Sequence, residues 1–167
     1  MKPLIINLPL SREDYKKLKI GKAVLLNGVV YTARDLAHKK ISDLIKVGKP
    51  LPFPLKNSAI YYTGPAPTKD KEIIGPCGPT TSYRMDPYTP LLLSQGLKVM
   101  IGKGERNETV IKKIKESSAV YFVTIGGIAS LLKNSVVENE TIAFPELGPE
   151  AVRKLVIKNF PCFVKNM

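Results

Sequence analysis

Residues 97–124, LKVMIGKGERNETVIKKIKESSAVYFVT, hold two short apolar runs separated by a glycine-punctuated loop and an amphipathic stretch. Leu97 to Ile101 and Val120 to Thr124 have the length and the β-branched or aromatic content of buried strands. Between them, Asn107 is placed to cap a helix carrying Val110, Ile111 and Ile114, with Glu108 four residues ahead of Lys112. Strand, helix and strand in direct succession argue for a crossover and parallel pairing. The class that follows is α/β.

Outward from this unit, Gly126-Gly127 is expected to open a further helix through Ala129, Leu131 and Leu132. Leu155 to Val164 reads as a strand, and Pro161 within it predicts an edge or a bend. Upstream, Ala59-Ile60-Tyr61-Tyr62 reads as a buried strand running into Gly64-Pro65. A turn-rich stretch follows and leads to GPCGPTTSYRMDPY, residues 75–88. Pro90 and Gly96 frame a short helix around Leu91, Leu92 and Leu93. Residues 21–31, GKAVLLNGVVY, read as two strands of a hairpin turning at Asn27-Gly28. Thr32 is then placed as a helix N-cap with Asp35 three residues on. Ala37, Ile41, Leu44 and Ile45 share one face of that helix, and Gly48 closes it. The expected result is a mixed sheet in a single domain over 1–167.

The 167 residues suffice for a full hydrophobic core. No apolar run approaches the roughly 18–20 residues of a membrane span, and the apolar N-terminal stretch reads as a strand rather than a signal peptide. Cys77 and Cys162 read as two reduced thiols of a cytoplasmic protein. The net charge of +12 attracts anions. Of the 26 basic residues 21 are lysines, dispersed along the chain in groups such as Lys16-Lys17 and Lys112-Lys113, which read as solvated faces. Nucleic-acid domains cluster arginine with interleaved aromatics, so this pattern argues against that partner.

Two arginines sit where helix physics disfavours a cation. Arg34 falls in the first turn of its expected helix, and Arg84 follows GPTTS, which resembles a helix start capped by Thr80 or Thr81. A bound anion would relieve both positions, and a guanidinium can grip a carboxylate through two hydrogen bonds. The plainer alternative is a pair of surface arginines matched with Asp35 and Asp86. Gly102-Lys103-Gly104 follows a strand directly, where glycine admits a ligand to the backbone and lysine adds a charge, although a lone GKG is not a P-loop. His38 is the only histidine. With Cys77 and Cys162 it has neither zinc nor cluster spacing.

Six segments occur in one order: GVVYTARDLAHKKI (28–41), AIYYTGPAP (59–67), GPCGPTTSYRMDPYTPLLL (75–93), KVMIGKG (98–104), YFVTIGGIASLL (121–132) and FPELGPEAVRKLVI (144–157). Together they resemble the beta subunit of class I iron–sulfur fumarate hydratase and L(+)-tartrate dehydratase, which also forms the C-terminal domain of single-chain class I fumarases. The resemblance runs from about residue 4 to 164. It implies a three-layer swivelling β/β/α domain. It also implies an alpha-subunit partner whose three cysteines hold a [4Fe–4S] cluster, so that no metal is bound by this chain.

By the same resemblance, Arg34, Arg84 and Lys103 match residues that bind the substrate carboxylates. Thr80 matches a threonine proposed to move a proton. Thr81 binds substrate or caps the helix, as Ser82 beside it can, and His38 and Ser82 stand behind the contact residues. The implied activity is a hydro-lyase reaction of a small dicarboxylate, fumarate to L-malate in the first instance, with L(+)-tartrate as the alternative. An open iron site on the partner would act as a Lewis acid toward the departing or attacking water. Thr80 would need a carboxylate from the alpha subunit as its relay, because a threonine hydroxyl is a weak base alone. Cys77 departs from the family pattern, where a small residue such as alanine is usual. The competing reading from a different class is a non-catalytic module binding an anion or nucleic acid.

Overall fold

The computed structural model describes residues 2–124 and 128–167. Strand β1 (Leu4–Asn7) and helix α1 (Arg12–Lys17) precede the long strand β2 (Ala23–Thr32). There follow α2 (Asp35–Lys46), β3 (Ala59–Tyr61), α3 (Thr89–Ser94), β4 (Val99–Gly102), α4 (Glu108–Glu116), β5 (Val120–Val123) and α5 (Ala129–Leu132). The chain ends with β6 (Val136–Ala143) and β7 (Val152–Asn166). The expected helix start at Gly126-Gly127 lies outside the described residues.

The segment 97–124 folds as its pattern predicts. β4 and β5 pair in parallel, with Met100 opposite Tyr121, and Asn107 caps α4 by accepting from the Val110 amide at 2.8 Å. β1, β2 and β3 continue the parallel set, while β7 runs antiparallel to β2, β5 and β6. Because β7 pairs with both β5 and β2, strands β2, β3, β4, β5 and β7 close a ring. Alternation along the strands splits the core in two. Ala59, Tyr61, Val99, Ile101, Val120 and Phe122 pack on Leu26, Leu155 and Phe160 from the antiparallel part. Ile60, Met100 and Tyr121 face the opposite way, onto Ala37, Ile41, Leu92, Val110 and Ile114 of the helices. Both faces of β3–β5 are therefore covered, which is why these strands are continuous apolar runs rather than alternating ones.

Asn27-Gly28 does not turn a hairpin. β2 passes straight through it, and the register against β7 shifts between Leu26 and Gly28. The left-handed preference that would serve a turn serves a bulge instead: Gly28 has φ of +118°. Below the bulge β2 pairs with β1 and above it with β3, so one strand serves two neighbours.

Thr32 does not cap α2 either. Its hydroxyl donates to the Ala151 carbonyl at 3.2 Å and accepts from the Arg153 amide at 3.0 Å, fastening β2 to β7. Nor is β7 an edge: it pairs with three strands. Pro161 is tolerated because its carbonyl, and so its nitrogen, faces the side where β7 has left β6 and not yet met β5. Thr124 donates to that carbonyl at 3.0 Å.

The bulge predicts a sensitive position. A Cβ at Gly28 would stand 2.7 Å from the Leu8 carbonyl oxygen, on a backbone L-residues avoid. Gly28→Ala is expected to lower the unfolding free energy by about 1–3 kcal/mol, read as a reduced urea midpoint; an unchanged midpoint would contradict the bulge.

Candidate functional site

The parallel strands deliver their carboxyl ends to one edge of the sheet, where ligands bind in α/β folds. β2 delivers Arg34, β3 delivers Gly64, and β4 delivers Lys103. The segment Thr80–Ser82 lies across these ends. The Thr80 amide donates to the Tyr62 carbonyl at 2.6 Å, Thr81 forms a parallel bridge with Lys103, and the Ser82 amide donates to the Lys103 carbonyl at 2.9 Å. The two glycines of GKG have separate reasons. A Cβ on Gly102 would lie 2.0 Å from Ser82 Oγ, and Gly104 takes φ of +81°. Tyr121 bridges the layers: its hydroxyl donates to the Gly104 carbonyl at 2.9 Å and receives the Ser82 hydroxyl at 2.7 Å. Burial pushes the Tyr121 phenol well above its ordinary range, so it stays a donor.

Thr80 and Thr81 do not cap a helix. Thr81 precedes a single 3-10 turn, Ser82–Met85, and makes no side-chain capping bond. Arg84 projects from that turn to Asp35, with Nε at 3.2 Å and Nη2 at 2.6 Å from the carboxylate. Burial pushes the Asp35 carboxyl up, but the Arg84 hydrogen bond and charge, with the Arg34 charge, outweigh it and hold it below its usual range. The hydrogen bond to Asp35 raises Arg84 in turn.

Arg34 is the N-cap residue of α2 and makes no capping bond there; instead Glu150 accepts from the Leu36 amide at 3.2 Å. Arg34 Nε is buried without a hydrogen-bond partner. Its guanidinium packs on Gly64, where a Cβ would come within 2.9 Å of Nη1. The pairs of the plain alternative are exchanged: Asp35 holds Arg84 rather than Arg34, and Asp86 holds Arg106.

His38 is buried behind Arg34. Its Nδ1–H donates to the Arg34 carbonyl at 2.8 Å, and its ring lies 5.4 Å from that of Tyr62 and 6.0 Å from that of Tyr88. Nε2 is buried with no partner. Burial lowers the His38 pKa from 6.5 to about 4, so the ring is neutral at pH 7.

Sequence reasoning missed Arg106. It is buried beneath the site, with Nε donating to Asp86 at 2.6 Å, Nη2 to Thr89 Oγ1 at 2.7 Å and Nη1 to the Tyr62 hydroxyl at 3.2 Å. The guanidinium also stacks 4.8 Å from the Tyr121 ring centre and 5.2 Å from that of Tyr62. The other Asp86 oxygen accepts the Asn107 amide at 2.8 Å, at the start of α4. No local pattern marks the pair: Arg106 stands two residues beyond GKG and Asp86 directly after SYRM, each as a single charged residue.

These residues do not fit a metal or an iron–sulfur cluster. Cys77 and Cys162 are separate buried thiols. Burial pushes Cys77 up to about 11 and Cys162 higher, against the thiolate that ligation needs. Among the described residues no group of three His, Cys, Asp or Glu side chains could hold a metal ion. Among the same residues no helix is long and apolar enough to cross a membrane.

A mixed-sheet α/β domain with cations gathered at the carboxyl edge of its parallel strands is the class of protein defined here. The chain belongs to the family described as Fumarase C-terminus, which matches residues 2–166. It is 42% identical over 156 residues to the putative L(+)-tartrate dehydratase subunit beta of Methanocaldococcus jannaschii, covering 90% of this chain and 80% of that one. It is 41% identical over 155 residues to fumarate hydratase 2 of Leishmania major, covering 92% of this chain but 27% of that protein. The anaerobic class I fumarate hydratase of Escherichia coli is also 41% identical, over 147 residues, with 87% and 27% covered. The chain thus spans about a quarter of these fumarate hydratases and most of the tartrate dehydratase subunit.

Two measurements check this description. Arg106→Met strands Asp86 as a buried charge and is expected to cost about 3–5 kcal/mol in urea unfolding; a loss below 1 kcal/mol would show that Arg106 is not the support. The second concerns pH. The folded His38 pKa lies below the unfolded one, so its stability contribution is complete above pH 6.5 and falls as pH drops toward 4. The fall approaches roughly 3 kcal/mol. His38→Gln should flatten that part of the stability curve, and an unaltered curve would contradict the neutral buried ring.

Proposed function

We propose that this chain is the beta subunit of a class I hydro-lyase that adds water to fumarate, or removes it from L-malate, at a site shared with a partner chain. The observation that carries this reading is the placement of Arg34, Thr80–Arg84 and Lys103 at one edge, on the sheet ends where small anions bind, in a member of this family. The finer fold name we assign is the swivelling β/β/α domain, supported by the mixed ring of strands with α2, α3 and α4 packed on one face.

Removing water from malate takes a proton from the carbon beside one carboxylate. Negative charge then builds on that carboxylate, and fixed cations aimed at it lower the barrier. Arg34, Arg84 and Lys103 supply three such charges on rigid supports: the start of a helix, a turn braced by Arg106, and a strand end. Each can also orient the dianion so that the reacting carbon meets Thr80. The Thr80 hydroxyl passes the proton only if a stronger base stands behind it, and we assign that carboxylate to the partner. Thr81 and Ser82 hold the relay in register with Lys103. We assign the [4Fe–4S] cluster to the alpha subunit, because the thiols here do not fit it, and no step of this chain's chemistry is drawn through it.

The 42% identity to the putative L(+)-tartrate dehydratase subunit beta supports L(+)-tartrate as the second substrate reading. The two differ by one hydroxyl, which a few polar contacts can discriminate.

Anaerobic reconstitution with the cluster-bearing chain tests this directly. Turnover is expected only with both chains present, on fumarate and L-malate or on L(+)-tartrate. Arg84→Lys should lose about a hundredfold or more in kcat/KM, since a two-pronged donor becomes a point charge. Full activity of the partner alone, or salt-sensitive DNA binding by this chain at physiological ionic strength, would instead favour the non-catalytic module.

A further inference from the structure

Arg84 does not hang free over the site. Asp35 grips it by two donors, Nε to Oδ1 and Nη2 to Oδ2. The pair joins the first residue of α2 to the turn Ser82–Met85, two elements 49 residues apart in sequence. Both side chains keep substantial exposure, 40% for Arg84 and 36% for Asp35. So exposed an ion pair adds little to stability, because water screens it.

What it supplies is geometry. A guanidinium is a rigid plane with five donors. A carboxylate across the Nε–Nη2 edge fixes that plane and leaves the Nη1 donors for a second carboxylate. The neighbours preserve the arrangement. Arg34 adds its charge to Asp35, so the carboxylate stays ionised between two guanidinium groups. Glu150 adds its charge toward Arg84, while its own oxygen is committed to the Leu36 amide. An incoming anion thus meets an arginine already oriented by α2 rather than a free side chain.

We infer that Asp35 is a positioning residue for substrate recognition, holding Arg84 by its Nε–Nη2 edge so that the Nη1 edge meets one carboxylate of a small dicarboxylate; this rests on the hydro-lyase reading above. Asp35 touches neither substrate nor reacting atoms and acts through Arg84. Specificity for a second carboxylate therefore depends on a carboxylate of the protein itself.

The test is a cycle of Asp35→Ala, Arg84→Ala and the double variant in the reconstituted two-chain complex, with Asp35→Asn beside them as the variant of unchanged shape. For Asp35→Ala and Asp35→Asn, KM for the dicarboxylate should rise about tenfold or more, because a small misplacement of a binding group is costly. The melting temperature should stay close to that of the unaltered complex. In the Arg84→Ala background the Asp35 substitution should have no further effect, since the two act as one unit. An unchanged KM in both Asp35 variants, or effects that multiply with those of Arg84→Ala, would overturn the inference alone. An unaltered complex without turnover on fumarate, L-malate or L(+)-tartrate would overturn the functional reading and the inference with it.

Discussion

The ion pair between Arg106 and Asp86 is the contact on which the site's geometry depends. Both side chains are almost wholly out of water, at 0% and 4% exposure. Two such charges are tolerable only when well partnered, and here Asp86, Tyr62 and Thr89 each take a bond from one guanidinium nitrogen while the Tyr62 and Tyr121 rings cover its faces. The consequence is a rigid joint between two stretches that would otherwise be free loops. Asp86 fixes the end of the turn carrying Arg84, and Arg106 with Asn107 fixes the loop after Lys103. With the β4 end and Thr80–Ser82 laid side by side, the candidate carboxylate-binding groups inherit the rigidity of the sheet.

Charge at this edge is arranged differently from charge over the whole chain. The net +12 is carried mainly by dispersed lysines, many of them exposed or paired loosely with neighbours one helical turn away. At the site, charges take fixed places. Asp35 holds Arg84, Glu150 occupies the start of α2, and Arg34 lies with a buried, unpartnered Nε against Gly64. The global field can draw in a dianion only over roughly a Debye length. On the proposed reading, the local arrangement decides where it comes to rest.

Much of this was legible in the sequence, and for definite reasons. The β4–α4–β5 unit could be read because its periodicity and the Asn107 cap agree with one another. Arg34, Arg84 and Lys103 stood out as cations at expected helix starts or after a glycine-flanked strand end, and the structure brings them to one edge, although Arg84 stands on a single 3-10 turn and not at a helix start. The failures also have physical causes. Asn27-Gly28 has the same backbone preference in a bulge as in a hairpin, and only the neighbours β1, β3 and β7 decide between them. Thr32 was read as a cap because local spacing cannot see Ala151 and Arg153 across the sheet. Pro161 marked a gap between two neighbours on one side of a central strand, which sequence alone cannot tell from an edge. Arg106 was invisible because its oxygen partners on Thr89, Asp86 and Tyr62 lie 17 to 44 residues away, and one arginine among many basic residues carries no local sign of burial.

We propose this edge of the sheet as the place where the chain meets a small dicarboxylate. It is tested most directly by following backbone amide resonances of the chain while L-malate or L(+)-tartrate is titrated in at physiological salt. Shifts are expected to concentrate at Arg34–Leu36, Gly64, Thr80–Arg84 and Gly102–Gly104, with little change elsewhere. Shifts confined to the lysine-rich faces of α1 and α4, with this edge silent, would contradict it.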